Sequence, residues 1–310
     1  MGAPVKIDIS AVIPAHNPDP GRLRRTLLGL RAQTLAAQRF EVVLVNNASA
    51  RFPDRAFFSE CAPENFAIIE ESRLGLTSAR LAGFAASRGE LIVMVDDDNV
   101  LEPGYLAAAE EIGRDFPFLA SWSGSVELVF EPGAVAPPPL WRTYLTERTC
   151  TGAVWSNDAS HNDSTPWGAG MCLRRTLADA YRAHCAREPN RLRLDLSGRE
   201  LTYGGDTDIA YFGCAIGFGK GVFPQLKVRH LIPPERCETS YLLRAVEGHA
   251  YSEWLHHWVL RGVVPAEPAG WSSRLKRFLR LALSDSRVRA TERARERGRA
   301  RAARELGPPP

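Results

Sequence analysis

The chain has 310 residues, 45% of them hydrophobic and 24% charged, enough to bury one large core or two smaller ones. Six scattered cysteines without a Cys-x-x-Cys pair argue against a structural zinc site or a disulfide scaffold, and favour a reducing, cytoplasmic setting. No apolar run approaches the roughly 20 residues of a membrane span, and the net charge of +3 belongs to the last stretch, where residues 270–310 hold 12 Lys or Arg against 4 Asp or Glu.

Residues 7–15 (IDISAVIPA) read as a first strand that ends in a loop rich in breakers, Pro14-Ala15-His16-Asn17-Pro18. Leu23, Leu27 and Leu30 predict a helix over 22–33, and FEVVLV predicts a second strand over 40–45. Together they make a βαβ unit with a right-handed crossover. A third strand is expected over 66–70 and a second helix over 74–87, stopped at Gly89. Residues 91–95 (LIVMV) form an apolar run too short for a helix, hence a buried strand. It runs straight into Asp96, Asp97 and Asp98, at the end of the strand where open α/β sheets bind ligands. Three adjacent carboxylates repel one another, and a divalent cation or hydrogen-bond donors relieve that repulsion. A solvated acidic turn is the competing reading. The order β-α-β-β-α-β reads as a nucleotide-binding half-sheet. Neither GxGxxG after the first strand nor GxxxxGK[ST] is present, which argues against a dinucleotide fold and a P-loop ATPase.

VIPAHNP, VLVNNAS and SRLGLTSARLAGFAASRGELIVMVDDDN, in that order, resemble the nucleotide-binding half of family-2 glycosyltransferases with the GT-A fold. The resemblance covers about residues 7–110. It implies that Pro14, Ala15, His16 and Asn17 line a nucleoside pocket. Asn46 would read the base where the family usually has an aspartate, and Arg80 would face base or phosphates. Asp96 and Asp97 would hold ribose and sugar, with Asp98, assisted by Asp96, on Mg²⁺ or Mn²⁺ at the diphosphate. For Arg80 a solvated helix arginine is the alternative.

Further on, a helix is expected over 103–116, a strand over 122–130 and a proline-rich surface loop over 131–139. Residues 140–164 show little periodicity and read as a loop-rich acceptor-side segment. Gly168 and Gly170 permit close backbone approach to a ligand, and residues 172–181 (CLRRTLADAY) read as a helix. The resemblance places Gly168 under the donor sugar. LTYGGDTDIA at 201–210 resembles the family's Glu-Asp motif, in which the aspartate is the catalytic base. Asp206 keeps that aspartate, while Gly205 replaces the usual glutamate. Asp206 could equally cap the helix that begins near Thr207. Residues 217–230 give a turn and a strand ending at His230, where the family commonly completes its metal site. Arg236 would meet the diphosphate with its forked donors. A helix is expected over 241–260. Residues 271–283 place Trp271, Leu275, Phe278 and Leu279 on one stripe beside arginines, which suits an interfacial helix on anionic lipid. A capping helix, or one that pairs with a second copy of the chain, is the competing expectation. Residues 287–304 read as an Arg/Glu-rich helix or a disordered arm.

The expectation is an α/β GT-A fold with a Rossmann-like, mostly parallel sheet and a helical C-terminal extension. Residues 1–240 would be catalytic, with the donor half over 1–120 and the acceptor half over 121–240, and residues 241–310 would be the basic extension. The expected activity is Mg²⁺- or Mn²⁺-assisted transfer of a sugar from a UDP- or dTDP-type nucleotide-sugar, with inversion. The acceptor hydroxyl would belong to a carbohydrate, a lipid-linked molecule or a small molecule. The expected location is the cytoplasm, with peripheral contact at the inner face of the membrane, and no nucleic acid is expected as a partner. A nucleotidyltransferase and a non-catalytic nucleotide-sugar-binding protein are the alternatives.

Overall fold

The computed structural model describes residues 6–195, 201–265 and 284–307. The half-sheet forms from β1 (Ile9–Ala15), α1 (Pro20–Arg31), β2 (Phe40–Asn47), α2 (Arg55–Cys61), β3 (Phe66–Glu71), α3 (Leu76–Ala86) and β4 (Leu91–Met94), α2 being a helix absent from the expected order. β1 is paired in parallel with β2 on one side and β4 on the other, and β3 extends the sheet beyond β2. α1 begins where Asp19 accepts from the Arg22 N–H at 2.9 Å and Pro20 supplies its fixed φ at the first turn. α2 has the same kind of start, with Asp54 accepting from the Phe57 N–H.

The aspartates lie between β4 and a three-residue strand, β5 (Asn99–Leu101). After α4 (Tyr105–Asp115) come β6 (Leu119–Phe130), α5 (Pro139–Arg142), β7 (Val154–Ser156), β8 (Cys172–Arg174), α6 (Arg175–Arg187), α7 (Gly205–Ala215), β9 (Gly219–Ile232), α8 (Pro234–Cys237) and α9 (Thr239–Arg261). The last helix, here α10, spans Ser286–Leu306. The sheet runs β3-β2-β1-β4-β8-β6-β9-β5, with β7 paired to β9. The long ladders, β1 with β2 and β6 with β9, are parallel, while β8, β5 and β7 join by short antiparallel ladders.

Both faces of the sheet are covered, so its central strands alternate between two cores. Ile9, Ala11, Ile13, Val42 and Leu44 pack with Leu23 and Leu27 of α1 and Leu106 of α4. Val12, Val43 and Val45 pack with Phe84 of α3, Leu177 of α6 and Ile209 of α7. That is why these strands read as continuous apolar runs.

One expectation needs correction. Residues 172–181 are not one helix: Cys172–Arg174 insert as β8 between β4 and β6, and the helix starts at Arg175. Residues 140–164 are mostly loop, within which Val154–Ser156 pair with β9 and Trp141 is buried. The arginine-rich 287–304 stretch is helical. Thr291, Ala294, Gly298 and Ala302 are its buried positions, and a Cβ at Gly298 would stand 2.2 Å from the Glu247 carbonyl of α9. Small residues on that stripe let the two helices lie close together, and Trp141 Nε1 donates to Thr291 Oγ1 at 2.9 Å. The stretch 271–283 lies outside the described residues. No described helix is long and apolar enough to cross a membrane.

Candidate active site

A cleft of about 1810 Å³ opens at the carboxyl ends of β1 and β4. Pro14, Ala15, His16, Arg80, Asp96, Asp97, Asp98, Gly168, Asp206, His230 and Arg236 all line it. Residues proposed on the sequence for base, diphosphate, metal and proton transfer therefore share one cavity. Two do not reach it. Asn46 turns its amide to Glu70, its register partner on β3, at 2.9 Å. Asn17 is exposed, with φ 48°, and its amide meets His16 Nε2 at 2.8 Å. The lining residue at the end of β2 is Asn47, buried, donating to the Glu71 and Arg73 carbonyls and accepting from the Gly75 N–H at 2.8 Å. Neighbours on a strand face opposite ways, and position 47 shares its face with Val43 and Val45.

β5 lies antiparallel to β9 with Asn99 opposite His230, which brings the aspartate loop onto the histidine. Asp98 Oδ2 lies 2.9 Å from Arg236 Nη1 and 3.4 Å from His230 Nε2. Asn99 donates to Asp98 Oδ1 at 3.0 Å. The Leu145 carbonyl, 2.9 Å from His230 Nδ1, can only accept, so the neutral ring carries its proton there and turns the Nε2 lone pair to the cleft. When its ring is protonated, His230 joins Arg236 in holding the Asp98 carboxyl well below the usual range despite its burial. Asp97 is the opposite case: burial, then the adjacent Asp98 and Asp96, push it up to about 8. The repulsion visible in the sequence is thus relieved by donors on Asp98 and by proton uptake at Asp97.

On the other wall, Arg80 of α3 is 4% exposed. Its Nη1 donates to Asp195 Oδ2 at 2.7 Å, its Nη2 is 3.7 Å from Asp96 Oδ1, and its buried Nε has no hydrogen-bond partner. Asp195 also accepts from Thr77 Oγ1 at 3.1 Å, and burial pushes its carboxyl up to about 6. Asp206 sits in the first turn of α7. Its Oδ2 accepts from the Gly168 N–H at 2.6 Å and its Oδ1 from the Thr207 N–H at 2.7 Å. A Cβ at Gly168 would stand 3.0 Å from Arg80 Nη2 and 3.2 Å from Asp206 Oδ2, so glycine there lets the loop before β8 come close to both side chains. Asp208, two residues on, is fully buried and faces away, bonded to Arg191, Tyr181 and His256.

The remaining wall comes from α9, α10 and the residues before α7. Tyr203 stacks on His249 with centroids 3.9 Å apart, and Tyr144 meets His249 edge-on. Burial pushes His249 down to about 4. Arg295 and Arg299 of α10 also line the cleft. Asp195, Asn47, Tyr203 and His249 escaped the sequence reading. Only Asn47 left a signal, through the alternation of β2.

Residues 10–113 match the family model described as glycosyl transferase family 2. That segment, about a third of the chain, is similar to glycosyltransferase family 2. The cleft's first wall, from Pro14 to Asp98, falls within it; Gly168, Asp195, Asp206, His230 and Arg236 do not. The chain is 33% identical over 98 residues to "Putative glycosyltransferase EpsH" of Bacillus subtilis (strain 168), across 31% of its own length and 28% of that protein's. It therefore spans under a third of that relative. Among solved structures, S. aureus TarS 1-349 is similar at 12% identity and a TM-score of 0.47, over 79% of this chain and 65% of that one. TarS 1-349 in complex with UDP is similar at 15% identity and 0.45, over 91% and 73%. These two likenesses are too loose to carry residue correspondences.

Proposed function

We propose that the protein transfers a sugar from a nucleoside-diphosphate sugar, of UDP or dTDP type, to an acceptor hydroxyl with inversion at the anomeric carbon. The observation that carries this reading is the shared cleft, into which two guanidinium groups, a cation-ready acid–histidine pair and Asp206 all open. Arg80 lines the cleft with a guanidinium, and Arg236 offers a second fork.

Asp98 and His230 fit Mg²⁺ or Mn²⁺. Their 3.4 Å separation suits two ligands of one small cation, and the Leu145 carbonyl leaves Nε2 its lone pair. Among the described residues no set of three His, Cys, Asp or Glu side chains forms a complete cage. Such cations commonly take few protein ligands and fill the rest with phosphate oxygens and water. Bound there, the ion would neutralise charge on the departing diphosphate. Arg236 Nη1 now occupies contact distance to both atoms and would turn to the phosphates.

Asp206 accepts the acceptor hydroxyl's proton as that oxygen attacks the anomeric carbon. The new C–O bond forms as the old one breaks, and its electron pair leaves on the diphosphate, met by Arg80 and Arg236. General-base help of this kind typically supplies about 10²–10⁴ in rate. Its two N–H donors hold the carboxylate plane fixed. The deciding measurement is product analysis with UDP- and dTDP-sugars and Mn²⁺. Release of nucleoside diphosphate with an inverted anomeric centre by NMR supports the proposal; pyrophosphate release overturns it. The acceptor side is assigned to the wall bearing Tyr203 and His249, whose stacked rings suit the flat face of a sugar or aromatic acceptor.

A further inference from the structure

Asp195 is a buried carboxylate that neither the family segment nor any sequence pattern assigns. It follows the short 3₁₀ turn Pro189–Arg193, is 6% exposed, and is held by its own backbone: its carbonyl accepts from Thr202 Oγ1 at 2.5 Å. Its position relative to Gly205 is the telling one. A Cβ built on Gly205 would stand 2.2 Å from Asp195 Oδ2 and 2.7 Å from its Cγ. The space that a side chain at position 205 would fill is already occupied by the Asp195 carboxylate. Gly205 opens α7 immediately before Asp206 and has no positive φ, so its backbone does not require glycine.

Arg80 meets more than one acid. Asp195 is within hydrogen-bond distance, Asp96 is at 3.7 Å, and the charge of Asp206 also acts on the guanidinium. We infer that Asp195 is a positioning residue: a carboxylate supplied from position 195 in place of one at 205, which anchors Arg80 against the cleft and keeps it from pairing with Asp206. Its effect on donor binding rests on the sugar-transfer reading; its place over Gly205 does not. Without Asp195, Arg80 relaxes toward Asp96 and Asp206, which ties up the base and withdraws a phosphate donor.

The test is a relocation cycle in the full chain, read by thermal unfolding and by UDP affinity with Mn²⁺ in calorimetry. Asp195→Ala lowers the unfolding midpoint by roughly 5–10 °C, because it strands a buried guanidinium. It weakens UDP roughly tenfold. Gly205→Asp alone also lowers the midpoint, as two carboxylates compete for one place. Asp195→Ala with Gly205→Asp recovers most of both losses. Asp195→Asn, which keeps shape and an acceptor, holds the midpoint within about 2 °C yet still weakens UDP. The inference is overturned if the double variant melts no higher than Asp195→Ala. It is also overturned if wild type binds UDP and Asp195→Ala binds it equally well. Should wild type not bind UDP or dTDP at all, the donor reading fails, and the melting cycle alone decides for or against Asp195.

Discussion

The Gly168 amide donates to Asp206 Oδ2 at 2.6 Å, across 38 residues of chain. A second N–H, from Thr207, fixes the other oxygen, so the carboxylate is aimed by backbone rather than by a mobile side chain. Asp206→Asn keeps the volume and the acceptor oxygen for one of those bonds but removes the base. Turnover should fall about 10²–10⁴-fold with UDP affinity nearly unchanged. Equal kcat in variant and wild type removes Asp206 from the chemistry.

Gly168→Ala probes the same contact from the other side. Its methyl would press on Arg80 Nη2 and Asp206 Oδ2 at 3.0 and 3.2 Å. Both are side-chain tips and can shift, so the fold should survive with a midpoint loss of a few °C or less, about what ~1 kcal/mol produces. Donor KM and kcat should both worsen, since the displaced groups belong to binding and to proton transfer. A variant with wild-type kinetics would show that the two groups need not meet.

Asp98 and His230 share one prediction. His230→Ala and Asp98→Asn should each weaken Mn²⁺ binding at least tenfold, measured by the loss of the free-ion electron-resonance signal. Second-sphere change tests the tautomer argument: shifting the Leu145 segment through Tyr144→Ala should weaken Mn²⁺ less than either ligand change. Undiminished Mn²⁺ binding in both ligand variants would place the ion elsewhere.

His249 sets a pH dependence. Its pKa near 4, against 6.5 in the unfolded chain, means that the fold favours the neutral ring. Its stabilising share is complete above pH 6.5 and is lost as pH falls toward 4, on the order of 3 kcal/mol in full. Asp195 acts with the opposite sign. Its carboxyl is raised to about 6, so its share is present below about pH 4 and is lost as pH rises through 6. The two partly cancel between pH 4 and 6 in wild type. His249→Phe, which keeps a ring against Tyr203, should therefore lose less stability than wild type between pH 6.5 and 4 in denaturant titrations. Parallel curves would show that His249 titrates as an exposed histidine.

Much of the sheet could be read from residues alone, because both faces are covered and each strand shows as a short apolar run. Strand β8 could not: Cys172–Arg174 is three residues long and continues into α6, so the helical spacing of Leu177 and Ala178 masks it. α10 shows why charge misleads. Its many arginines left a helix and a disordered arm both open, and the Thr291-Ala294-Gly298-Ala302 stripe was the packing signal for the helix. Most residues of the ordered motifs line the cleft, whereas Asp195 lies in no such motif, since no local pattern marks a side chain that fills a gap beside a distant glycine. The motif gives a position only to within one residue; strand parity turns Asn47, not Asn46, to the cleft.

The contacts that assemble the cleft are long in sequence: Asp98 meets Arg236 across 138 residues and Arg80 meets Asp195 across 115. Entropy is spent on closing such loops before the charges can reward it. The site is therefore expected to form late in folding. A fragment ending near residue 113 would retain the partners of β1–β4 but leave β5 without β9, and would lack every carboxylate, imidazole and guanidinium that the second half delivers, so ligand affinity should arise in one step with the final native contacts.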